Sequence, residues 1–173
     1  MKKFTLFLVL IGMLSFQSCT VHDTTPINTT DNDTISEVWE YSTNVNFTAS
    51  NNYSLLLTFH HTIYTSDMVL LYRLSGIDNG ADVWKLLPET YYYSDGTLNF
   101  GYNFDFTQYN AFVSMSGSNL STVSTQNRLN QVIRIVVIPG FFGNKNTNIV
   151  DFNDYNAVLN AYHIDPTKVL KIK

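Results

Sequence analysis

Two stretches of alternating apolar and polar residues constrain the fold of this chain more than any other feature. Residues 39–47 read WEYSTNVNF, and residues 97–106 read TLNFGYNFDF. Because successive side chains of a strand point to opposite faces of the sheet, a period of two predicts a strand with one buried face. We therefore expect the large side chains of each stretch to face a hydrophobic core. The alternative for the second stretch is an outward-facing aromatic row on which a glycan stacks.

The other strong patterns also predict strands. Turn residues lie at Asn51-Asn52, at residues 76–80 and at Ser94-Asp95-Gly96. The β-forming runs between and beyond these turns are residues 53–59, 68–74, 83–87, 91–93, 109–115 and 131–139. The runs 68–74 and 131–139 are almost wholly apolar, which predicts central strands. Arg134 interrupts the second run, and we expect it to pair with a carboxylate or a carbonyl.

One helix is predicted near the C terminus. The apolar residues that recur there at helical spacing are Phe152, Tyr155, Val158, Leu159 and Tyr162. Asp151 or Asn153 is placed to cap its start, Asp165-Pro166 ends it, and residues 169–172 add a short strand. The predicted fold class is mainly β: an antiparallel β-sandwich of about eight strands with one short C-terminal helix, packed on an edge or end.

The first residues of the chain have the pattern of an export signal. Lys2 and Lys3 precede an apolar run over residues 4–16. A run of this length suits the hydrophobic region of a signal peptide and is too short to span a bilayer. We therefore predict that residues 1–18 are a signal peptide, removed when the protein is exported.

The end of this segment resembles the lipobox of bacterial lipoproteins. Gln17 and Ser18 precede Cys19, the single cysteine of the chain, although Phe16 stands where such motifs usually carry Leu. The resemblance implies that the Cys19 thiol becomes a diacylglyceryl thioether and, after cleavage, the new N terminus. Two or three acyl chains hold a protein durably, since each buried methylene contributes about 0.8 kcal/mol. The predicted location is the outer membrane, with an ordinary secretory peptide and an incidental cysteine as the alternative.

Residues 19–35 are predicted to comprise the lipidated cysteine and a flexible tether. The stretch after Cys19, TVHDTTPINTTDND, is polar and has no hydrophobic period. Thr24 and Thr34 each follow an Asp and resemble acceptors of the Bacteroidota O-glycosylation system. The acids of the tether lack the Gly and the bidentate Glu of a calcium loop, so we predict no metal site there. Residues 36–173 are predicted to form a single β-sandwich domain.

Charge and cysteine content exclude several classes of partner. The chain has 10 Lys and Arg against 14 Asp and Glu, and loss of Lys2 and Lys3 with the signal peptide leaves 8 − 14 = −6. An acidic chain without basic clusters argues against nucleic acid and against electrostatic docking on anionic lipid. A single cysteine excludes an internal disulfide, so packing alone must stabilise the exported domain.

Two blocks of the domain resemble a group of Bacteroidota lipoproteins of unknown function. They are DMVLLYRLSGIDNGADVWKLLPETYYYSDGTLNFGYNFDF, from Asp67, and IRIVVIPGFF, from Ile133, followed by a short helix and VLKIK. The similarity runs from Asn44 to the end of the chain. In that group the blocks follow a lipidated cysteine, so the resemblance implies a lipoprotein. The tether replaces the collagen-like segment of many members, and the group supplies no functional residues.

The sequence contains no recognisable catalytic constellation. None of its histidines, His22, His60, His61 and His163, accompanies a Gly-x-Ser-x-Gly nucleophile. Metal-ligand spacing and phosphate-cradling motifs are also missing. We therefore predict no catalytic residue, no metal site and no cofactor. A glycoside hydrolase is the enzyme class that the sequence does not exclude, because the chain has carboxylates such as Glu89, Asp105 and Asp151 that could act as a pair.

Three functional hypotheses follow. The first is a non-catalytic interaction module of the cell envelope, held at the membrane by its lipid and contacting an envelope protein through loops and exposed aromatics. The second is a glycan-binding surface lipoprotein that stacks sugars on Trp84, Tyr91, Tyr92 and Tyr93. The third, a hydrolase, needs two carboxylates facing each other across a cleft.

Overall fold

The computed structural model of the chain describes residues 35–143 and 149–173. The signal peptide, Cys19 and the threonines Thr24 and Thr34 lie outside these residues, so the predictions made for them stay predictions. Within the described ranges, no helix has the length and apolar character needed to cross a membrane.

Nine strands of the described chain form two sheets that pack face to face. They are β1 (Glu37–Tyr41), β2 (Ser54–Thr58), β3 (Met68–Asp78), β4 (Ala81–Leu86), β5 (Glu89–Tyr92), β6 (Leu98–Phe106), β7 (Asn110–Gly117), β8 (Ile133–Ile138) and β9 (Leu170–Ile172). One sheet has five strands in the order β4-β3-β8-β1-β9, and the other has four in the order β2-β7-β6-β5. This architecture confirms the predicted β-sandwich.

Strand β8 is the centre of the five-stranded sheet, as its apolar sequence predicts. It pairs antiparallel with β1 on one side and β3 on the other, so that Ile135 lies opposite both Trp39 and Leu71. Its sequence is IRIVVI, and such β-branched residues pack well on a pleated surface. Among the described strands, only β1 and the C-terminal β9 pair in parallel.

The main hydrophobic core lies between the two sheets. Trp39, Leu71 and Ile135 of the five-stranded sheet meet Tyr102 and Val113 of the four-stranded sheet, and all five are fully buried. The centre of the aromatic row on β6 faces this core, as expected. Its last member, Phe106, projects beyond the core at the end of the strand and is partly exposed.

The described chain has three short α-helices and three 3₁₀ turns. The α-helices are α1 (Thr125–Arg128), α2 (Gly140–Gly143) and α3 (Tyr155–Ala161), and the 3₁₀ turns cover Ala49–Asn51, Leu120–Thr122 and Pro166–Lys168. Asp154 caps α3, because its carboxylate accepts hydrogen bonds from two backbone N–H groups of the first turn. The predicted C-terminal helix is thus present, but it starts later than its apolar spacing indicates, and the predicted cap at Asp151 or Asn153 is wrong.

Helix α3 covers the outer face of the five-stranded sheet. Val158 and Leu159 belong to a second buried cluster with Leu70, Tyr72 and Val136 of the sheet. The expected position of the helix on an edge or end is therefore wrong. Strands β3 and β8 carry apolar residues on both faces, so the side turned away from the sandwich core also needs a cover.

Two strands differ in length from the sequence patterns. Strand β1 ends at Tyr41, although the alternation continues to residue 47, because the chain turns where Asn44 takes a φ of 60°. Val45 and Phe47 are still buried, as predicted. Strand β3 continues through the predicted turn at residues 76–80, and Asn79-Gly80 alone forms the hairpin turn, with positive φ at both residues.

The proximal end of the sandwich is the end at which β1 begins. It also carries the β2–β3 loop and the β6–β7 turn. His61 Nε2 in the loop lies 3.2 Å from both carboxylate oxygens of Glu37, the first residue of β1. The Ile63 N–H donates to the Gln108 carbonyl (3.0 Å), which ties the loop to the turn. Ile35 and Ser36, the first described residues, therefore lead into β1 at the proximal end.

The distal end of the sandwich is the end opposite the proximal end. Strands β3 and β6 span the sandwich, so the β3–β4 turn and the β5–β6 turn lie at the end away from the start of β1. The connection from β7 to β8 also reaches this end, where the Gln131 N–H donates to the Val45 carbonyl (2.9 Å).

Candidate functional site

The structure separates the four aromatic residues proposed to stack on a glycan. Trp84 lies on the outer face of the five-stranded sheet, where the Arg134 guanidinium sits 4.0 Å from the centre of its ring and Tyr155 of α3 packs beside it. Tyr91 lies between the sheets and stacks on Phe100, with ring centres 4.6 Å apart. Both rings are engaged in packing within the domain.

Tyr92 and Tyr93 are exposed, at the distal end. Tyr92 exposes 64% of its surface, and Tyr93 begins the β5–β6 turn, closed by a hydrogen bond from its N–H to the Thr97 carbonyl (2.9 Å). The four candidate residues therefore do not share one stacking surface. Of the four, Tyr92 and Tyr93 are the two whose side chains are exposed.

A buried arginine joins the two sheets beneath the distal end. Every N–H of Arg73 has an acceptor; these are both carboxylate oxygens of Glu89, the Tyr91 hydroxyl, the Gln131 side-chain carbonyl and the Leu74 carbonyl. The shortest of these bonds, from Nε to Glu89 Oε2, measures 2.7 Å. The guanidinium also lies 4.6 Å from the centre of the Tyr102 ring. Because all of its donors are used within the domain, Arg73 has a structural role.

The surroundings of this cluster raise the pKa values of Arg73 and Tyr102. Burial alone would lower the pKa of Arg73, but the hydrogen bond to Glu89 and the neighbouring charges raise it. Burial raises the pKa of Tyr102, whose hydroxyl donates to the Asn127 carbonyl. The neutral phenol therefore holds the connection between β7 and β8 against the core.

Sequence reasoning did not identify this pair, although a signal was present. Arg73 interrupts the apolar run 68–74, and a charge on a central strand must find a counter-ion. Arg134 carries the same signal, and its predicted pairing is confirmed: Nε donates to Glu40 Oε2 at 2.9 Å.

A groove opens beside the Arg73 cluster at the distal end. It has a volume of about 250 Å³ and lies between the end of β3 and the side chains of Gln126, Asn127 and Asn130. These side chains present amide donors and acceptors without net charge. The sequence gives little sign of this groove, because it depends on how β3 and the connection before β8 pair in space.

One edge of β3 faces this groove. The last residue of β3 that pairs with β8 is Arg73, opposite Ile133, whereas β3 continues to Asp78. Past Arg73, the Leu74 N–H still donates to the Val132 carbonyl (2.9 Å), and within the described chain no strand lies beside β3 on that side from Ser75 to Asp78. At the tip, Ile77 exposes 71% of its surface. An unpaired strand edge beside amide side chains can bind an extended peptide through backbone hydrogen bonds.

A second cleft, of about 420 Å³, lies where α3 meets β4. It is lined by Trp84, Tyr155 and the carboxylates of Asp82, Asp151 and Asp154. Asp151 accepts a hydrogen bond from the Asn153 N–H (2.9 Å), and Asp154 caps α3. These two acids therefore shape the chain that leads into the helix.

The carboxylates considered for hydrolysis lie apart. Glu89 is buried between the sheets against Arg73. Asp105 lies on the solvent side of the four-stranded sheet, opposite Phe112, and Asp151 lies beside α3. The structure does not bring these three acids to one cleft.

The histidines next to each other in sequence are in the β2–β3 loop. The His61 ring meets Trp39 edge-on, with ring centres 5.2 Å apart, while His60 is exposed. In the part of the chain that the structure describes, no three His, Cys, Asp or Glu side chains are grouped to hold a metal ion.

The fold defines the class of the protein as a β-sandwich with a helical layer on one sheet. No protein-family model, curated protein or solved structure matches the chain. The functional argument therefore depends on the residues of this chain.

The Arg73–Glu89 pair provides a direct test of the structure. Glu89→Gln keeps the shape of the side chain but leaves the guanidinium buried without its counter-ion, and breaking a buried pair costs about 3–5 kcal/mol. Denaturant unfolding should show this loss in the free energy of unfolding. The matched change Glu37→Gln removes the charge of a partly exposed partner of His61 but keeps a side-chain oxygen to accept from Trp39 Nε1, so it should cost less than about 1 kcal/mol. Equal effects of the two changes would contradict the structural role of Arg73.

Proposed function

We propose that the protein is a lipoprotein of the outer membrane, anchored through Cys19, whose sandwich is a non-catalytic interaction module of the cell envelope. Its partner is an envelope protein that binds at the distal end. The observation that carries the proposal is the groove of that end, with its unpaired strand edge and its exposed Ile77 and Tyr92.

The anchor is supported by the sequence before the domain. Cys19 follows an apolar run with a basic start and is the single cysteine of the chain. The polar residues between Cys19 and β1 provide the spacing that a lipid-anchored domain needs. The resemblance of the domain to Bacteroidota lipoproteins agrees with this location.

Binding at the distal end is supported by the chemistry exposed there. Ile77 and Tyr92 offer apolar surface, and the amides beside the groove offer hydrogen bonds without strong charge. Interfaces typically combine an apolar centre with a polar rim. The end also lies opposite the point where the chain enters the domain, so an anchor at Cys19 leaves it accessible.

The anchor predicts a specific covalent modification. Growth with a fatty-acid analogue should label the wild-type protein, whereas Cys19→Ala should remain unlabelled because it has no thiol to form the thioether. Gel fluorescence of the purified proteins measures the label. Equal labelling of both would contradict the anchor.

Binding at the distal end predicts position-specific crosslinking on intact cells. A photo-crosslinking residue at Ile77 or Tyr92 should give one discrete adduct. The same residue at Leu56, exposed on the solvent side of the four-stranded sheet, is the matched control and should give none. Mass spectrometry identifies the adduct.

Two results would overturn this assignment. One is recovery of the monomer alone from every position, and the other is equal adducts at Ile77 and Leu56. If glycosidases remove the mass added by crosslinking, the partner is a glycan and not a protein. That result would support the second hypothesis for this chain.

A further inference from the structure

We propose that the proximal end of the sandwich rests on the surface of the lipid bilayer, with Tyr64, Phe106 and Tyr109 in the interfacial layer. This inference depends on the lipid anchor of the proposed function and adds a second, non-covalent contact with the membrane. It gives the domain a fixed orientation, with the distal end turned away from the lipid.

The three aromatic residues belong to two loops that are tied together. Tyr64 lies in the β2–β3 loop, and Phe106 and Tyr109 flank the β6–β7 turn. The Phe59 N–H donates to the Tyr109 carbonyl (2.9 Å), and the Ile63 N–H donates to the Gln108 carbonyl (3.0 Å). The rings expose 47%, 42% and 59% of their surfaces, respectively. Two loops joined by backbone hydrogen bonds therefore carry three exposed aromatic side chains at one end of the sandwich.

The loop that carries Tyr64 is held by a buried carboxylate. Asp67 accepts hydrogen bonds from the Tyr64 N–H (2.8 Å) and from the Gly140 N–H (3.2 Å). Its side chain is buried, and these bonds satisfy its charge within the domain. The position of Tyr64 is thus fixed without a charge directed at the lipid.

The chain reaches the domain at this same end. Glu37 begins β1 next to His61, and the preceding Ile35 is exposed. Between Cys19 and Ser36 there are 35 − 19 = 16 residues, which span at most about 55 Å when fully extended. An anchored domain on so short a connection meets the bilayer at a high effective concentration, so weak contacts suffice to orient it.

The chemistry of the group suits the interface between membrane and water. Tyrosine has an apolar ring and a polar tip, and it is enriched where membranes meet water. Because the mature chain is acidic, its net charge does not attract it to anionic headgroups. A contact with the membrane would therefore use uncharged aromatic side chains. The exposed tyrosines of the distal end lie too far along the strands to share this contact.

Fluorescence of the full lipidated protein in phosphatidylcholine vesicles tests the contact. Tyr64→Trp and Tyr109→Trp each add a reporter at the proximal end, and Tyr92→Trp adds one at the distal end as the matched control. The parent protein gives the background of Trp39 and Trp84. With phosphatidylcholine brominated near the headgroup, the signal added at residues 64 and 109 should be lost, whereas the signal at residue 92 should persist.

Each alternative outcome has a distinct meaning. If iodide in the water quenches residues 64 and 109 as strongly as residue 92, the end is open to solvent and the inference is overturned. If iodide does not quench the tryptophans at residues 64 and 109 and the brominated lipid does not quench them either, a protein surface such as a second copy covers the proximal end. That result would also overturn the inference. If the parent protein fails to float with the vesicles, the anchor itself fails, and both the proposed function and this inference fall.

Discussion

The five-stranded sheet must be covered on both faces, and the rest of the structure follows from that constraint. Strands β3 and β8 are apolar on both sides, so one face packs on the four-stranded sheet and the other on α3. The four-stranded sheet then forms an outer layer, with residues such as Leu56 and Asp105 on its solvent side. This order of layers leaves the two ends of the sandwich as the places where loops and strand tips meet the surroundings.

Two arginines secure the layers where apolar packing is interrupted. Arg73 joins β3 to β5 through Glu89, and Arg134 joins β8 to β1 and α3 through Glu40 and Tyr155. Because their charges are satisfied inside the domain, neither is directed at a ligand. The contacts proposed for the two ends of the sandwich therefore do not use these two arginines.

Much of the fold could be predicted because it depends on local periodicity. The apolar runs around Leu71 and Ile135 identify central strands, and Asp95-Gly96 identifies a hairpin turn. The site could not be predicted in the same way. Trp84 and Tyr91 are close in sequence, but Trp84 lies on the outer face of the five-stranded sheet, whereas Tyr91 belongs to the four-stranded sheet and packs against the core between the sheets. The chain crosses from one sheet to the other at Leu87-Pro88. The groove exists because β3 extends beyond the start of β8. This difference depends on how two distant parts of the chain pair, so a short stretch of sequence does not reveal it.

The central claim is that the domain has a fixed polarity, with one end at the lipid and the other open to a partner. Single cysteines measure this directly, because the proposed acylation would occupy the Cys19 thiol and leave an introduced cysteine as the one free thiol. Thr65→Cys lies at the proximal end and Ser94→Cys at the distal end, and both positions are exposed. In phosphatidylcholine vesicles that carry the purified lipidated protein and no partner, a maleimide should label residue 94 as fast as in detergent and residue 65 much more slowly. Equal labelling of both positions in the membrane would contradict the account.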